Sequence, residues 1–123
     1  MKIIILGGGS IGGSVATELS TEDNDIVVID NNEANLEPLK SKEGIKTVLG
    51  DATSPKTLSK SNLDEKSLLL CLTDSEEINL LASIIAHAKF DVMKIICRLK
   101  GSEYKEIAKQ IASHVDFFIN PED

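Results

Sequence analysis

Short, continuous apolar runs alternate along this chain with longer stretches of helical periodicity. The runs occupy positions 3–6, 26–29, 45–49, 67–72, 93–97 and 115–119. Their apolar residues are consecutive rather than alternating, the pattern of strands covered on both faces. Ser10 opens a first helix, with Ile11, Val15 and Leu19 on one stripe and Gly12 and Ala16 allowing close approach. Asn32 is placed to cap a second helix, and Ser54-Pro55 suits the N-cap and first position of a third. Asp74 with Glu77 makes a capping-box-like start for a fourth, running to about Lys89. Gly101-Ser102 opens a fifth, with Tyr104, Ile107, Ala108 and Ile111 expected on its buried side. Inside the second helix Pro38 would remove a hydrogen bond and clash with the preceding turn. That helix is therefore expected to be short, kinked, or to begin only at Glu37.

Strand–helix alternation repeated five times and ending in a sixth strand specifies an α/β fold. The expected architecture is a Rossmann-like, doubly wound, parallel six-stranded sheet with helices on both faces. Two comparable halves, 1–50 and 66–119, flank a connecting helix and match two mononucleotide-binding units. Residues 1–119 are expected to form one dinucleotide-binding domain, and 120–123 the start of a linker or tail.

The chain has 123 residues and a net charge of −7. Acidity argues against nucleic acid or an anionic membrane as the main partner, since both select a basic footprint. Aromatic residues make up only 3%, too few for base-stacking platforms. No segment reaches the roughly 20 apolar residues of a bilayer span, so direct membrane insertion is not expected. The N-terminal apolar run is too short for an export signal, which points to a cytoplasmic protein with reduced, buried Cys71 and Cys97.

Gly7-Gly8-Gly9-Ser10-Ile11-Gly12 reads G-x-G-x-x-G between a predicted strand and a predicted helix. Gly7 permits the tight turn, Gly9 the approach of backbone to a pyrophosphate, and Gly12 close helix–strand packing. Phosphates would sit on backbone N–H groups at the positive end of the helix dipole. Asp30 ends the second strand at the spacing of a ribose ligand and is expected to accept from both ribose hydroxyls. Its charge repels a 2′-phosphate, and no Lys or Arg follows among Asn31, Asn32 and Glu33, which favours NAD(H) over NADP(H). Asp51, in Gly50-Asp51-Ala52-Thr53, is either an adenine contact or part of an ordinary turn. Asp74 is either a cap or a ligand, and Thr73 has a hydroxyl to offer phosphate or ribose. Arg98, the chain's single arginine, suits a phosphate or carboxylate, with a surface ion pair as the alternative.

Together these motifs resemble the TrkA N-terminal regulatory domain, also called the RCK or KTN domain, of potassium transport systems. The resemblance rests on residues 1–9, Ile29-Asp30, Gly50-Asp51-Ala52-Thr53, Leu72-Thr73-Asp74 with Glu77-Ile78-Asn79, and Arg98 before Ser102-Glu103-Tyr104. It implies a non-catalytic domain that binds NAD(H) or ATP/ADP and controls a membrane-embedded potassium subunit. The implied nucleotide site comprises Gly7, Gly8, Gly9, Ser10, Ile11, Gly12, Asp30, Asn31, Asp51, Ala52, Thr73, Asp74 and Arg98. Gly7 to Ile11 would hold the pyrophosphate, Asp30 the ribose and Asp51 the adenine side, with Thr73, Asp74 and Arg98 along the far half. Pro38 departs from the family pattern. The chain also stops at Asn120-Pro121-Glu122-Asp123, where relatives continue, so an excised domain or a short relative is expected.

A dehydrogenase would need a proton-transfer group near the cofactor. Tyr104 is followed four residues later by Ala108, and His87 and His114 fall away from predicted strand ends. A regulatory role is thus favoured over a small NAD-dependent oxidoreductase or a fragment of one; a domain regulating a cation/proton antiporter is the other alternative. The fourth helix carries Ile78, Leu80, Leu81, Ala82, Ile84, Ile85, Ala86, Ala88 and Phe90 around most of its circumference, more than one sheet face requires. A homodimer or higher ring through such apolar helices is expected.

Overall fold

The computed structural model describes residues 1–101 and 103–119. Six strands form one wholly parallel sheet: β1 (Lys2–Leu6), β2 (Asp25–Asp30), β3 (Ile45–Leu49), β4 (Leu68–Cys71), β5 (Lys94–Leu99) and β6 (Asp116–Ile119). Their order is β3-β2-β1-β4-β5-β6, the doubly wound arrangement with its switch point between β1 and β4. In register, Leu6 lies opposite both Ile29 and Cys71, and Cys71 opposite Cys97. The strands therefore end level, delivering Gly7, Asp30, Thr73 and Arg98 to one edge.

The continuous apolar runs follow from burial on both sides. Ile4 and Leu6 of β1 join Leu58, Leu69, Ala82, Ala86 and Ile95 on one face. Ile3 and Ile5 join Ala16, Ile26, Val28 and Leu36 on the other. Each such leucine, isoleucine or valine contributes about 1.5–3 kcal/mol when fully buried. Helices α1 (Ser10–Leu19) and α2 (Glu33–Leu36) cover the second face, and α3 (Pro55–Ser59) and α4 (Glu76–Phe90) the first. Ser54 caps α3 through the Thr57 amide, and Asn32 caps α2 through Ala34. At Pro38 the chain does what its ring demands: α2 stops after four residues, and Glu37–Leu39 forms a separate 3-10 turn with proline in its opening positions. No helix among the described residues is long and apolar enough to cross a membrane.

Two local expectations are corrected. The cap of α4 is Ser75, not Asp74: Ser75 is extended and its hydroxyl accepts from the Ile78 amide at 3.2 Å, three residues on. In α5 (Lys105–Ile111) the expected buried stripe is mostly exposed. Ala108 and Ala112, one helical turn apart, face inward, whereas Ile107 and Ile111 sit about 100° around the helix and are 54% and 56% exposed. Tyr104 is exposed as well. The proposed opening of this helix includes Ser102, outside the described residues. Leu81 of α4 is also exposed, at 48%. It borders a groove of about 260 Å³ lined by Leu80, Leu81, Ile84, Leu99 and Tyr104 together with Glu76 and Glu77.

Candidate functional site: a cleft across the switch point

A cleft of about 660 Å³ lies beyond the carboxyl ends of the strands, a size within the range of about 300–1,000 Å³ for small-molecule sites. Of the residues singled out from sequence, it gathers Gly7, Gly9, Ser10, Ile11, Asp30, Asn31, Asp51, Ala52, Thr73, Asp74 and Arg98. Ile29, Asn32, Asn35, Gly50, Leu72 and Ile78 complete the lining. Gly8 and Gly12 are absent from it, for reasons the loop makes plain.

Gly7 has φ +103°, and a Cβ there would lie 2.9 Å from the Thr73 nitrogen. Only glycine lets the turn after β1 press against the turn after β4. Gly12 stands beneath the loop, where a Cβ would come within 1.7 Å of the Gly7 carbonyl oxygen, so close packing there requires glycine. At Gly9, by contrast, a Cβ would meet no heavy atom within 4 Å. Gly9 is also the N-cap of α1 and carries no side chain to cap it. The first intrahelical bond of this turn runs from Gly13 N–H to Gly9 C=O at 2.7 Å. The amides of Ser10, Ile11 and Gly12 precede it, and no acidic side chain occupies the first turn. An uncapped helix start with open space before it is a positive-ended anion site. These residues fit a nucleotide's phosphates.

Asp30 is more engaged than expected. Its Oδ2 accepts from Gly8 N–H at 2.7 Å and from the Asn35 side-chain Nδ2 at 3.2 Å, while Oδ1 accepts from Asn32 N–H at 2.8 Å. A carboxylate offers about four acceptor positions, so one remains on Oδ1. Asp30 can thus take one ribose hydroxyl rather than the expected pair, and Gly8 N–H is committed to Asp30 instead of to phosphate. Asn32 and Asn35 were missed as site residues, although the Asn31-Asn32 pair following the strand's carboxylate was visible.

At the β3 end, Asp51 Oδ1 accepts from both the amide and the hydroxyl of Thr53, each at 2.8 Å. The Thr53 amide first, then its hydroxyl, hold this carboxyl below the usual value of 3.8. Asp51 is a turn-forming residue that also borders the cleft.

The far wall is built around a residue not singled out as a ligand. Asn79, 1% exposed, accepts from Thr73 N–H (3.0 Å) and Thr73 Oγ1 (2.6 Å) and donates to the carbonyls of Thr73 (3.0 Å) and Arg98 (2.9 Å). The Thr73 hydroxyl also accepts from Ser75 N–H at 3.2 Å. It is spent on the wall itself, which corrects its expected role as a donor to ligand. Arg98 is not a surface residue: it is 5% exposed, and Nη1 donates to the Thr73 carbonyl at 3.1 Å. The signal for Asn79 was a polar residue inside the apolar sequence Ile78-Asn79-Leu80-Leu81. His87 and His114 stack on each other at 3.5 Å and do not line the cleft.

Known proteins share this fold. The Trk system potassium uptake protein TrkA of Haemophilus influenzae is 35% identical over all of this chain, which spans 28% of that protein. Among solved structures, the Kef CTD of Shewanella denitrificans in its AMP-bound form superposes with a TM-score of 0.78 at 22% identity, covering 98% of this chain and 72% of that one. The GsuK channel bound to NAD superposes with a TM-score of 0.76 at 20% identity, covering 94% and 21%. The TrkA-N domain model matches residues 3–121, and with the fold and its glycine-loop cleft in place, the chain belongs to the TrkA-N domain family.

Proposed function

We propose that this chain is a non-catalytic regulatory domain that binds NAD(H), with ATP/ADP as the alternative ligands, and governs a membrane-embedded potassium uptake subunit. The observation that carries this reading is the uncapped start of α1 facing the cleft, with the Asp30 carboxylate braced beside it. Backbone amides would hold the diphosphate, Oδ1 of Asp30 a ribose hydroxyl, Asn31, Asp51 and Ala52 would border the adenine half, and Thr73, Asp74 and Arg98 the distal half. The negative charge of Asp30 selects against a 2′-phosphate. Similarity to an AMP-bound domain and to an NAD-bound channel supports the ligand class, and similarity to a potassium uptake protein supports the partner. Support for a non-catalytic role comes from the similarity to a Trk system potassium uptake protein and to the GsuK RCK domain.

In this reading residues 1–119 form the nucleotide-binding unit. Copies associate through the exposed apolar residues of α4 and α5, and nucleotide exchange shifts their geometry. Effector control of that kind requires unequal affinity for two geometries. The domain would work in the cytoplasm, held at the membrane by its partner.

A thermal-shift panel of NADH, NAD, NADPH, ATP and ADP tests the proposal. A ligand present at 100 times its Kd adds about 2.7 kcal/mol of stability, so a clear shift is expected with NAD(H) and a weaker one with NADPH. No shift with any adenine nucleotide would overturn it.

A further inference from the structure

We infer that Asn79 is a positioning residue for the nucleotide, holding the distal wall of the cleft in register with the glycine loop without touching the ligand. The inference rests on the nucleotide-binding reading above. Asn79 does not line the cleft, yet Thr73, Asp74, Ile78 and Arg98 around it do. Its carboxamide has two acceptor and two donor positions, and all four are filled by the bonds to Thr73 and to the Arg98 carbonyl. Backbone groups of fixed polarity, one amide and two carbonyls, determine which way the carboxamide points. Asn79 N–H itself donates to the Ser75 carbonyl at 3.0 Å, within the first turn of α4. One side chain therefore ties together the end of β4, the end of β5 and the start of α4.

Position matters here because Thr73 has no slack. Its backbone is the surface against which Gly7 closes. A shift of Thr73 would open the seam between glycine loop and distal wall and displace the Arg98 guanidinium, whose Nη1 is anchored on the same carbonyl. A buried network this fully satisfied stiffens its surroundings, and losing one member leaves several groups unpaired. A hydrophobic residue at this place in the helix would fill space but could not hold a strand end by its amide and carbonyl together.

The test compares NAD affinity, by calorimetry, with thermal stability in Asn79→Ala, Asn79→Asp and the control Val92→Ala. Val92 is fully buried at the other end of α4 and lies outside the cleft. Asn79→Ala is expected to weaken NAD by about tenfold or more, the scale of a cut buried network, while Val92→Ala lowers the melting temperature with affinity retained. Asn79→Asp keeps the shape but sets a carboxylate against two carbonyls. Relative to the native protein it should bind poorly at alkaline pH and recover as acid protonates that carboxyl, a profile that is also available if Asn79→Ala fails to fold. Unchanged affinity in Asn79→Ala, losses in both Ala variants that merely track stability, or a flat pH profile for Asn79→Asp would overturn the assignment. If the native protein itself bound no NAD, the nucleotide reading would fall first, and a positioning role with it.

Discussion

Gly8 N–H donates to Asp30 Oδ2 at 2.7 Å, so the second glycine of the loop and the carboxylate that ends β2 form a single unit. The bond spans 22 residues of sequence and links the turn after β1 to the end of β2. Asp30→Ala is expected to act twice. It releases the loop, lowering stability by about 1–3 kcal/mol as partly buried donors lose their acceptor. It also removes the ribose acceptor and the charge that excludes a 2′-phosphate, so the preference for NAD over NADP should narrow. Denaturant unfolding and paired titrations with the two cofactors measure the effects separately; an unchanged cofactor ratio would count against the ribose assignment.

Gly9 and Gly12 separate folding from binding. Gly12→Ala drives a methyl group into the Gly7 carbonyl, and a loss of about 3 kcal/mol or more is expected from overpacking against backbone. Gly9→Ala places its methyl in open space at an ordinary φ of −71°. Its stability should stay within about 1 kcal/mol, while nucleotide affinity drops because the methyl occupies the space of the phosphates. If Gly9→Ala bound NAD normally, the diphosphate would have to lie elsewhere.

Leu81 is the most exposed leucine of α4 and lies beside the groove that ends at Tyr104. Leu81→Glu should therefore shift a self-associated protein toward monomer in light scattering, with the fold retained because the side chain already meets solvent. Equal mass for the native and substituted proteins would place any self-association on another face.

Acid sensitivity should report on the histidine stack. Burial first, and then the neighbouring His87, hold the His114 imidazole below its ordinary value of 6.5. Just below that pH the unfolded chain binds the proton more readily than the folded one, so stability falls as pH drops through this window; above it both states carry a neutral ring. Thermal unfolding between about pH 7.5 and 5.5, where histidine charge changes, should show a shallower decline in His114→Phe than in the native protein. Parallel declines would refute the link. Asp64, lowered by Lys2, and Asp51, lowered by Thr53, begin to lose their contributions only near and below 3.8.

Much of the fold was legible because burial on both faces of the central strands β1, β2 and β4 writes itself as uninterrupted apolar runs, and because Ser54, Asn32 and Pro38 act through local geometry alone. The glycine loop and Asp30 were legible for the same reason: their backbone requirements are nearly independent of context. The rest depended on contacts between distant segments. Spacing cannot tell that Gly8 N–H is taken by Asp30, or that Thr73 Oγ1 is absorbed by Asn79, since the partners meet only when β1, β2, β4 and β5 lie side by side. The α5 stripe misled because periodicity shows that a face exists, not where the sheet lies relative to it.

Cys71 and Cys97 stand opposite each other on β4 and β5, both fully buried. The neighbouring Cys97 thiol, together with burial, pushes the Cys71 thiol well above its usual range, which makes it a poor nucleophile. The native protein is in consequence a quiet background for maleimide chemistry. Fluorophores attached at Asn31→Cys and Asp74→Cys, exposed positions on opposing lips of the cleft, would report any change in its width by energy transfer without any need to engineer the natural thiols away.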